Sequence, residues 1–358
     1  MKIGFVINDI SCGRGSERVA ITIANELSRW YEVQFISLNQ INQQSFFSVD
    51  KKVIIIPLPD SEVSNKLAKK LQDFRYITKC ITQYRFDILV GVGSYPSTLL
   101  GMIKKVGSKQ IKCLGWEHAN RSALRSYFWN KLRKIFYREL DGLICLNLSD
   151  EIDYKGYAKS IKVIPNPLAF QSIEIAPLNT KTIISIGALE TEKGFDLLIE
   201  AFKIISNRIP DWKLVIIGEG SMKDSLEKQI KSIGVGERIS IKPAVIDVRK
   251  EYLQASIYVL PSRREGFGMV LIEAMECGVP CISFDCPTGP KHIITHDKNG
   301  ILVPPNDIGK LAAAIYDLIS NHEKMQKLAI DGKMAVKKYR REFIVAHWQA
   351  CLNEITSV

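Results

Sequence analysis

The chain has 358 residues, a length that predicts two domains. Hydrophobic residues make up 46% and charged residues 24%, a globular composition that excludes a disordered, collagen-like or coiled-coil chain. No apolar run approaches the ~20 residues needed to span a bilayer. The first residues, Met1–Asp9, become polar too early for a signal peptide and instead predict a β-strand.

The net charge of +11 is concentrated in one part of the chain. Between residues 60 and 138 there are 16 basic and 5 acidic residues, so this segment accounts for the whole excess. A local basic surface of this kind can face nucleic acid, anionic lipid or a phosphorylated substrate.

The eight cysteines are scattered and form no CxxC pair, and no histidine lies at metal-ligand spacing from them. Several lie within apolar, strand-like runs, as buried thiols do. We therefore expect reduced, structural thiols.

Short apolar runs alternate with helical stretches along the whole chain. A first series of predicted strands covers residues 2–8, 33–38, 53–57, 88–92, 111–117, 142–146 and 161–165. A second series covers residues 182–187, 213–218, 239–242, 257–260, 281–284 and 300–303. Most of these runs lack polar alternation, which is typical of parallel strands covered by helices on both faces. The pattern predicts an α/β protein with two doubly wound, Rossmann-like domains.

A proline-rich segment without helical period, Pro165–Pro177, separates the two series and predicts a linker. We therefore expect an N-terminal domain at 1–172, a second domain at 173–338, and a C-terminal helix at 339–358 that packs back toward the N-terminal domain. Ligands of such sheets bind beyond the carboxyl ends of the strands. Two domains facing each other across a cleft would suit an enzyme that joins two substrates.

Three strand-to-helix loops carry residues suited to phosphates and hydroxyls. Gly13–Arg18 could offer amides to an anion, or could be a tight turn. Gly187–Gly194 places Lys193 beside a helix start, as in a diphosphate site, although a lone loop lysine is more often solvated. In the third loop, Glu265 follows a strand, and Glu273 interrupts an apolar helix face. Burial of Glu273 would require a partner, such as a ribose diol.

The segment 121–140 combines apolar residues at helical spacing with a basic remainder. This pattern predicts a helix lying on an anionic membrane surface, and the alternative is a core-facing helix with a solvated basic back. The residues expected to dock on the membrane or the acceptor are Arg121, Arg125, Trp129, Lys131, Arg133, Lys134 and Arg138.

Several of these motifs resemble one enzyme family. The run from Glu265 to Glu273 resembles the E-x7-E signature of the retaining GT-B glycosyltransferases of family GT4. Gly13–Arg18 is similar to the family's GG-x-E-R loop, Glu117-His118 to its EH motif, and Gly187–Gly194 to its G-R-L-x-x-E-K-G loop. Residues 284–304 resemble the members that build bacterial polysaccharides. The motifs occur in the family's order and extend over essentially the whole chain.

The resemblance implies a GT-B fold and a retaining transfer of a hexose from a UDP-sugar. The hexose would be glucose, galactose or an N-acetyl form of either, and the acceptor a polyprenyl-diphosphate-linked saccharide of O-antigen, capsule or exopolysaccharide. Lys193 would neutralise the leaving diphosphate, Glu265 would bind hydroxyls of the donor sugar, and His118 would lie near the reacting centre. The donor-binding residues that the resemblance implies are Gly13, Gly15, Gly187, Gly218, Glu219, Val245, Gly266, Phe267, Gly268, Val270, Leu271 and Glu273, the last of which would hold the ribose.

One position departs from the family pattern. An arginine usually follows the glycine of the Gly187 loop, and here that residue is Ala188. Supplementary cations for the phosphates could be Arg14, Arg263 or Arg264. The chain has no Asp-x-Asp motif, so we expect no metal and no other cofactor, with Lys193 and a helix N-terminus stabilising the leaving group.

The expected partners are a UDP-hexose, a lipid-linked oligosaccharide and an anionic membrane, without nucleic acid. We expect a cytoplasmic protein associated peripherally with the inner face of the cell membrane. Alternatives are a glycosyltransferase acting on protein or on lipopolysaccharide core, a sugar-nucleotide epimerase or phosphorylase of similar architecture, and a basic nucleic-acid-binding protein. No recognisable nucleic-acid motif supports the last of these.

Overall fold

The computed structural model describes residues 1–39, 44–58, 65–107, 110–118 and 127–357. The chain divides into two compact units, Met1–Pro167 with Arg341–Val358, and Leu168–Arg340. The boundaries expected after residues 172 and 338 therefore lie a few residues from those of the structure. The first differs because the linker packs on the second unit, where the Ser172 amide donates to Glu276 and the Ala176 amide to the Cys277 carbonyl.

The first unit contains a seven-stranded parallel sheet in the order β3-β2-β1-β4-β5-β6-β7. Its strands are β1 Lys2–Asp9, β2 Glu32–Asn39, β3 Ile54–Ile56, β4 Ile88–Val92, β5 Lys112–Trp116, β6 Gly142–Cys145 and β7 Ile161–Val163. The helices between them are α1 Gly15–Leu27, α2 Lys66–Tyr84, α3 Ser94–Val106, α4 Tyr127–Tyr137 and α5 Leu148–Asp153.

The second unit contains a six-stranded parallel sheet in the order β10-β9-β8-β11-β12-β13. Its strands are β8 Thr182–Ile186, β9 Lys213–Ile217, β10 Ile239–Lys242, β11 Ile257–Leu260, β12 Cys281–Phe284 and β13 Ile301–Val303. Its helices are α6 Phe195–Ile205, α7 Lys223–Ser232, α8 Val248–Leu253, α9 Met269–Glu276, α10 Pro290–Ile293, α11 Ile308–Ser320 and α12 His322–Ala335.

The predicted fold class, two Rossmann-like α/β domains, is confirmed. Every predicted strand is present, with ends that differ by at most two residues. The apolar runs are buried because helices cover the sheets, and every residue of β4, β6, β11 and β12 is buried. The eight cysteines are free thiols, and all except Cys12 are buried. Among the described residues, no helix has the length and apolarity that crossing a membrane requires.

The strand order reverses once in each sheet, between β1 and β4 and between β8 and β11. The loops that leave neighbouring strands at such a point diverge and open a crevice at the carboxyl edge. The Gly13–Arg18 loop follows β1, and His118 follows β5, the strand beside β4. The loops with Lys193 and Glu265 follow β8 and β11, so they flank the reversal in the second unit.

The last helix, α13 Arg341–Thr356, belongs to the first unit. Trp348 and Leu352 are fully buried there. The Lys162 ammonium, from β7, binds both carboxylate oxygens of Glu354 at 2.7 and 2.8 Å. The helix therefore completes the core of the first sheet, although it follows the second unit in sequence.

A glycine sets the distance between α3 and α4. A methyl group added to Gly101 would lie 2.2 Å from the carbonyl oxygen of Phe136, whose backbone therefore passes directly over α3. This close approach brings the side chains of α4 to the end of β5.

We expect Gly101→Ala to destabilise the protein, because the two helices must separate to admit the methyl group. A cost of about 1–3 kcal/mol is typical of overpacking and should lower the midpoint of thermal unfolding by several degrees. The control is Gly309→Ala in α11, where the new carbon would meet only the Asp307 carboxylate at 3.6 Å. This variant should be neutral or stabilised. Equal midpoints for the two variants would contradict the close helix contact.

Candidate functional site

Four loops at the carboxyl edge of the second sheet are joined to one another by hydrogen bonds. The amide of Gly187 donates to Ile217, and that of Leu189 to Glu219, at 3.0 and 2.8 Å. The amide of Arg263 donates to the Glu192 carbonyl at 2.8 Å. The Thr288 hydroxyl donates to the carbonyl of Glu265 at 2.5 Å. The loops after β8, β9, β11 and β12 thus form one connected surface, made of residues 187–194, 218–221, 261–268 and 285–289.

Two glycines allow these loops to touch. A Cβ on Gly218 would lie 1.9 Å from the carbonyl oxygen of Gly187. A Cβ on Gly194 would lie 2.0 Å from that of Pro261, and Gly194 has φ +66°, in the left-handed region. Any side chain at either position would push the loops apart. Gly218, which is expected to bind the donor, therefore also has a steric reason to be glycine. Gly187, with the same expected role, supplies the carbonyl that Gly218 contacts.

Lys193 and Glu265 form an ion pair at the centre of this surface, with 2.7 Å between Nζ and Oε1. The Ser262 hydroxyl donates to the same Oε1, also at 2.7 Å. The Lys193 side chain is 29% exposed and that of Glu265 is 9% exposed, so the lysine is the more accessible member of the pair. Two residues that were assigned separate roles from the sequence are therefore in direct contact.

Arg263 has a partner within the protein. Its guanidinium binds both oxygens of Asp196 at 2.8 and 2.6 Å and donates to the Thr191 carbonyl at 2.7 Å. Burial disfavours the charged form of Asp196, but the hydrogen bonds and charge of Arg263 outweigh this and lower the pKa of its carboxyl. Arg263 thus joins the loop after β11 to the start of α6, which argues against it as a supplementary phosphate cation. Arg264 is exposed on the same loop.

The loop Gly266–Gly268 leads directly into α9. Gly268 has φ +96°, which turns the chain into the helix. Leu271 is fully buried, and its amide donates to the Gly268 carbonyl at 2.9 Å, so this amide is used within the turn. Val270 is half-buried in the first turn, and Phe267 is buried against the ring of Tyr339.

Glu273 is 1% exposed. The Tyr252 hydroxyl, from α8, donates to its Oε2 at 3.3 Å. The sequence predicted that burial would require a partner, and Tyr252 is one that the sequence did not reveal. Of the other expected donor residues, Glu219 is exposed after β9, and Val245 is half-buried after β10.

In the first unit, the loop after β1 is shaped by Asp9, whose Oδ1 accepts the amide and hydroxyl of Ser11 at 2.9 and 2.6 Å. Gly13 lies flat against Phe46, because an added Cβ would be 3.0 Å from that ring. Arg14 and Gly15 are exposed at the start of α1.

His118 lies just beyond β5. Part of the residue reaches the surface, but Nε2 is buried and has no hydrogen-bond partner among the described residues. Burial lowers the pKa of His118 to about 3, so the imidazole is neutral at physiological pH. A neutral imidazole offers one donor and one acceptor nitrogen, which suits a sugar hydroxyl.

Arg133, which the sequence placed on a docking surface, is buried with 1% exposure, so that prediction is wrong. Its Nη2 donates to Glu117 Oε1 at 3.1 Å and to the Tyr154 hydroxyl. Glu117 also accepts from the hydroxyls of Ser94, at 2.9 Å, and Tyr137. Burial disfavours the charged guanidinium, yet the Glu117 charge outweighs this and raises the pKa of Arg133. The residue faces the core because a buried carboxylate at the end of β5 requires its charge.

Of the other residues expected to dock on the membrane or the acceptor, two are exposed lysines, two contact other residues of the protein, and two lie outside the described residues. Lys131 and Lys134 are exposed, and Phe128, in the first turn of α4, is 66% exposed. The Lys70 ammonium lies 4.0 Å from the centre of the Trp129 ring, and Arg138 Nε donates to the Gly156 carbonyl at 3.5 Å. Arg121 and Arg125 lie outside the described residues. Within the described part of the chain, no group of three or more His, Cys, Asp or Glu side chains could hold a metal ion.

Comparison with known proteins agrees with these motifs. Residues 169–334 match the sequence model of the glycosyl transferases group 1, and residues 13–170 match that of glycosyltransferase family 4. A protein of Haemophilus influenzae named as an uncharacterized glycosyltransferase is 31% identical over 98% of this chain and 99% of its own length. In Campylobacter jejuni, a GalNAc-α-(1→4)-GalNAc-α-(1→3)-diNAcBac-PP-undecaprenol α-1,4-N-acetyl-D-galactosaminyltransferase is 27% identical over 99% of each chain.

Among solved structures, Anabaena HepE in complex with UDP and glucose is similar with a TM-score of 0.80. It covers the whole of both chains at 17% sequence identity. This likeness shows a shared fold.

We expect Arg133→Met to lower the free energy of unfolding by about 3–5 kcal/mol, because Glu117 would remain buried without its cation. Thermal unfolding of the purified variant measures the effect. Lys131→Met removes a charge from the same helix at an exposed position and should change stability by less than about 0.5 kcal/mol. A surface role for Arg133 would instead make the two variants equally stable.

Proposed function

The chain belongs to the group 1 glycosyltransferases of the GT-B fold, and from this we propose that it transfers a hexose from a UDP-sugar to a lipid-linked saccharide with retention of configuration. It is a glycosyltransferase of bacterial polysaccharide synthesis. The observation that carries the proposal is the Lys193–Glu265 ion pair at the strand reversal of the second sheet. The C. jejuni relative, whose named substrate is carried on undecaprenol diphosphate, supports the acceptor class, and the UDP and glucose bound to HepE support the donor class.

Lys193 is proposed to stabilise the leaving diphosphate. Cleavage of the glycosyl–phosphate bond develops negative charge on the phosphate, and a fixed ammonium in a partly water-excluded site lowers that barrier. The pairing with Glu265 holds the ammonium in place before the donor binds. Because Ala188 replaces the family's arginine and Arg263 binds Asp196, we assign the main cationic role to Lys193. We propose that no metal is required.

Glu265 is proposed to bind the hexose. Lys193 and Ser262 both donate to its Oε1, and no described residue donates to Oε2. A carboxylate has about four lone-pair positions, so Oε2 can accept sugar hydroxyls while the ion pair stays intact. Glu273 would accept ribose hydroxyls beside its bond from Tyr252.

We assign His118 to the donor sugar. Its buried Nε2 needs a partner that the described residues do not supply, and a hexose hydroxyl would provide one. Retention is proposed to follow front-face attack, in which the donor phosphate accepts the acceptor's proton. A dedicated base is then unnecessary, and the lowered pKa of His118 makes its imidazole a weak base.

The exposed face of α4 is proposed to lie on an anionic membrane surface on the cytoplasmic side. Phe128 and Ile135 are 66% and 39% exposed, and Lys131 and Lys134 share this outer face. Apolar side chains flanked by lysines are typical of interfacial helices. A lipid-linked acceptor would be reached at such a surface, whereas a protein acceptor would not depend on it.

Substitution of the ion pair tests the donor site. We expect Lys193→Ala and Glu265→Ala each to lower UDP-hexose-dependent transfer by about 100-fold or more, since charge stabilisation of the leaving group is lost. A panel of UDP-hexoses, with product analysis, measures the effect and identifies the sugar. Lys203→Ala, at an exposed position of α6, is the matched control and should retain full activity. Full activity of both site variants, or its complete loss with EDTA, would contradict this mechanism.

Vesicle binding tests the membrane surface. Lys131→Gln with Lys134→Gln should weaken binding to vesicles containing phosphatidylglycerol by about 30-fold, because each lysine contributes roughly 1 kcal/mol near an anionic surface. Co-sedimentation at low salt gives the affinities. The control is Lys228→Gln with Lys231→Gln on α7, which changes the net charge equally and should bind as the parent does. Equal losses in the two double variants would show a bulk charge effect and contradict the assignment to α4.

A further inference from the structure

The last helix brings a tryptophan to the strand end that precedes His118. Trp348 in α13 is fully buried, and its ring meets that of Trp116 with centroids 4.5 Å apart and planes at 70°. Phe5, in β1, lies 6.1 Å from Trp348 and 6.4 Å from Trp116. We refer to Phe5, Trp116 and Trp348 as the Trp348 cluster. The three rings pack against one another in tilted or T-shaped arrangements.

Trp116 also packs against the ring of His118. The two residues are separated by one position at the end of a strand, so their side chains lie on the same side of the backbone. The amide of Glu117, between them, still donates to the Ile144 carbonyl at 2.9 Å and keeps the chain in the sheet. The ring centroids of Trp116 and His118 are 4.4 Å apart, with planes at 48°.

Among the described residues, the packing of Trp116 is the contact that can orient this imidazole. A functional histidine usually has its ring set by a hydrogen bond at one nitrogen, which leaves the other nitrogen to act. No described residue makes a hydrogen bond to His118, and Nε2 is buried. The indole N–H groups of Trp116 and Trp348 are also buried without a partner among the described residues. The ring positions are therefore fixed by shape.

We propose that Trp348 is a positioning residue for sugar transfer: its indole fixes Trp116, and Trp116 fixes the imidazole plane of His118 toward the hexose. The inference rests on the proposed function, which assigns His118 to the donor sugar. It gives α13 a part in the reaction, although the sequence placed none of its residues in the site.

A core residue with no such role would also destabilise the protein when replaced, so the test must measure His118. Trp348→Leu removes the ring and keeps an apolar side chain, whereas Trp348→Phe keeps a ring. Phe343→Leu is the matched control, because Phe343 lies on α13 with 51% exposure. All variants are made in the full chain. Circular dichroism at the assay temperature confirms folding, and Trp348→Met replaces Trp348→Leu if that variant does not fold.

We expect Trp348→Leu to lower kcat by about 10-fold or more and to change KM for the UDP-hexose by less than about twofold, since the donor contacts in the second unit remain. Trp348→Phe should stay within about threefold of the parent, and Phe343→Leu should match it. In the background of His118→Ala, Trp348→Leu should lower kcat by less than about a further twofold. Multiplying effects would show that Trp348 acts independently of His118 and would overturn the proposal.

Histidine NMR supplies a readout that does not depend on activity. The chain has five histidines, and the ¹³Cε1 signal of His118 is the one lost in His118→Ala. In the parent this signal should not titrate between pH 5 and 8, because burial holds the pKa of His118 at about 3. In Trp348→Leu it should shift and begin to titrate. An unchanged signal would overturn the positioning role. Full activity of His118→Ala would instead refute the assignment of His118 to the sugar, and loss of activity there with full activity in Trp348→Leu would refute the positioning role alone.

Discussion

The geometry of the candidate site depends on backbone contact between loops that leave different strands. Gly218 lies against the carbonyl of Gly187, and Gly194 lies against that of Pro261, each closer than any side chain would permit. The second contact joins the loop that carries Lys193 to the loop that carries Glu265. This close backbone contact brings the two loops together, and the Lys193 ammonium lies 2.7 Å from the Glu265 carboxylate. Parallel strands bring the loops to one edge, and the glycines then let them meet.

This constraint supports the proposal that Lys193 carries the main positive charge of the site, where the family pattern has an arginine as well. A flexible lysine on a mobile loop would lose much of its electrostatic effect to solvent and to side-chain entropy. Lys193 is instead held by Glu265, on a loop that Arg263 and Asp196 brace from the other side. In the proposed reaction, a preorganised ammonium would stabilise the developing phosphate charge better than a mobile one.

The fold reduces the surface charge that the basic residues between 60 and 138 would otherwise give. Lys104 binds Asp141 at 2.5 Å, and Lys105 binds Glu139 at 3.0 Å, so carboxylates beyond the segment neutralise part of its excess. Arg133 is removed from the surface altogether by Glu117. The charge that remains exposed on α4 is that of Lys131 and Lys134, beside exposed apolar side chains. A count along the sequence overstates the surface charge, because it cannot pair residues that only the fold brings together.

The strands and the loop motifs could be predicted because each depends on residues close together in sequence. The apolar runs needed no knowledge of their neighbours, and the spacing from Glu265 to Glu273 is contained in one loop and helix. The partners of those residues could not be predicted: Lys193 and Glu265 are 72 positions apart, and Tyr252 reaches Glu273 from another helix. Arg133 was misplaced because helical periodicity assigns a charged residue to the polar face. Its position four residues before Tyr137, which also binds Glu117, was the one local sign of a buried polar face.

Two sets of side chains hold the residues that directly precede His118. Glu117 is held by Arg133, Tyr137 and Ser94. Trp116 is held by Trp348 and Phe5. The first set anchors the strand end through charge and hydrogen bonds, and the second sets ring orientation through packing. Burial by the same surroundings keeps the imidazole neutral. An imidazole whose pKa is lowered by burial is a weak base. In the proposed reaction, His118 would direct a hydrogen bond to the hexose, and the geometry of that bond would depend on how α4 and α13 hold the end of β5.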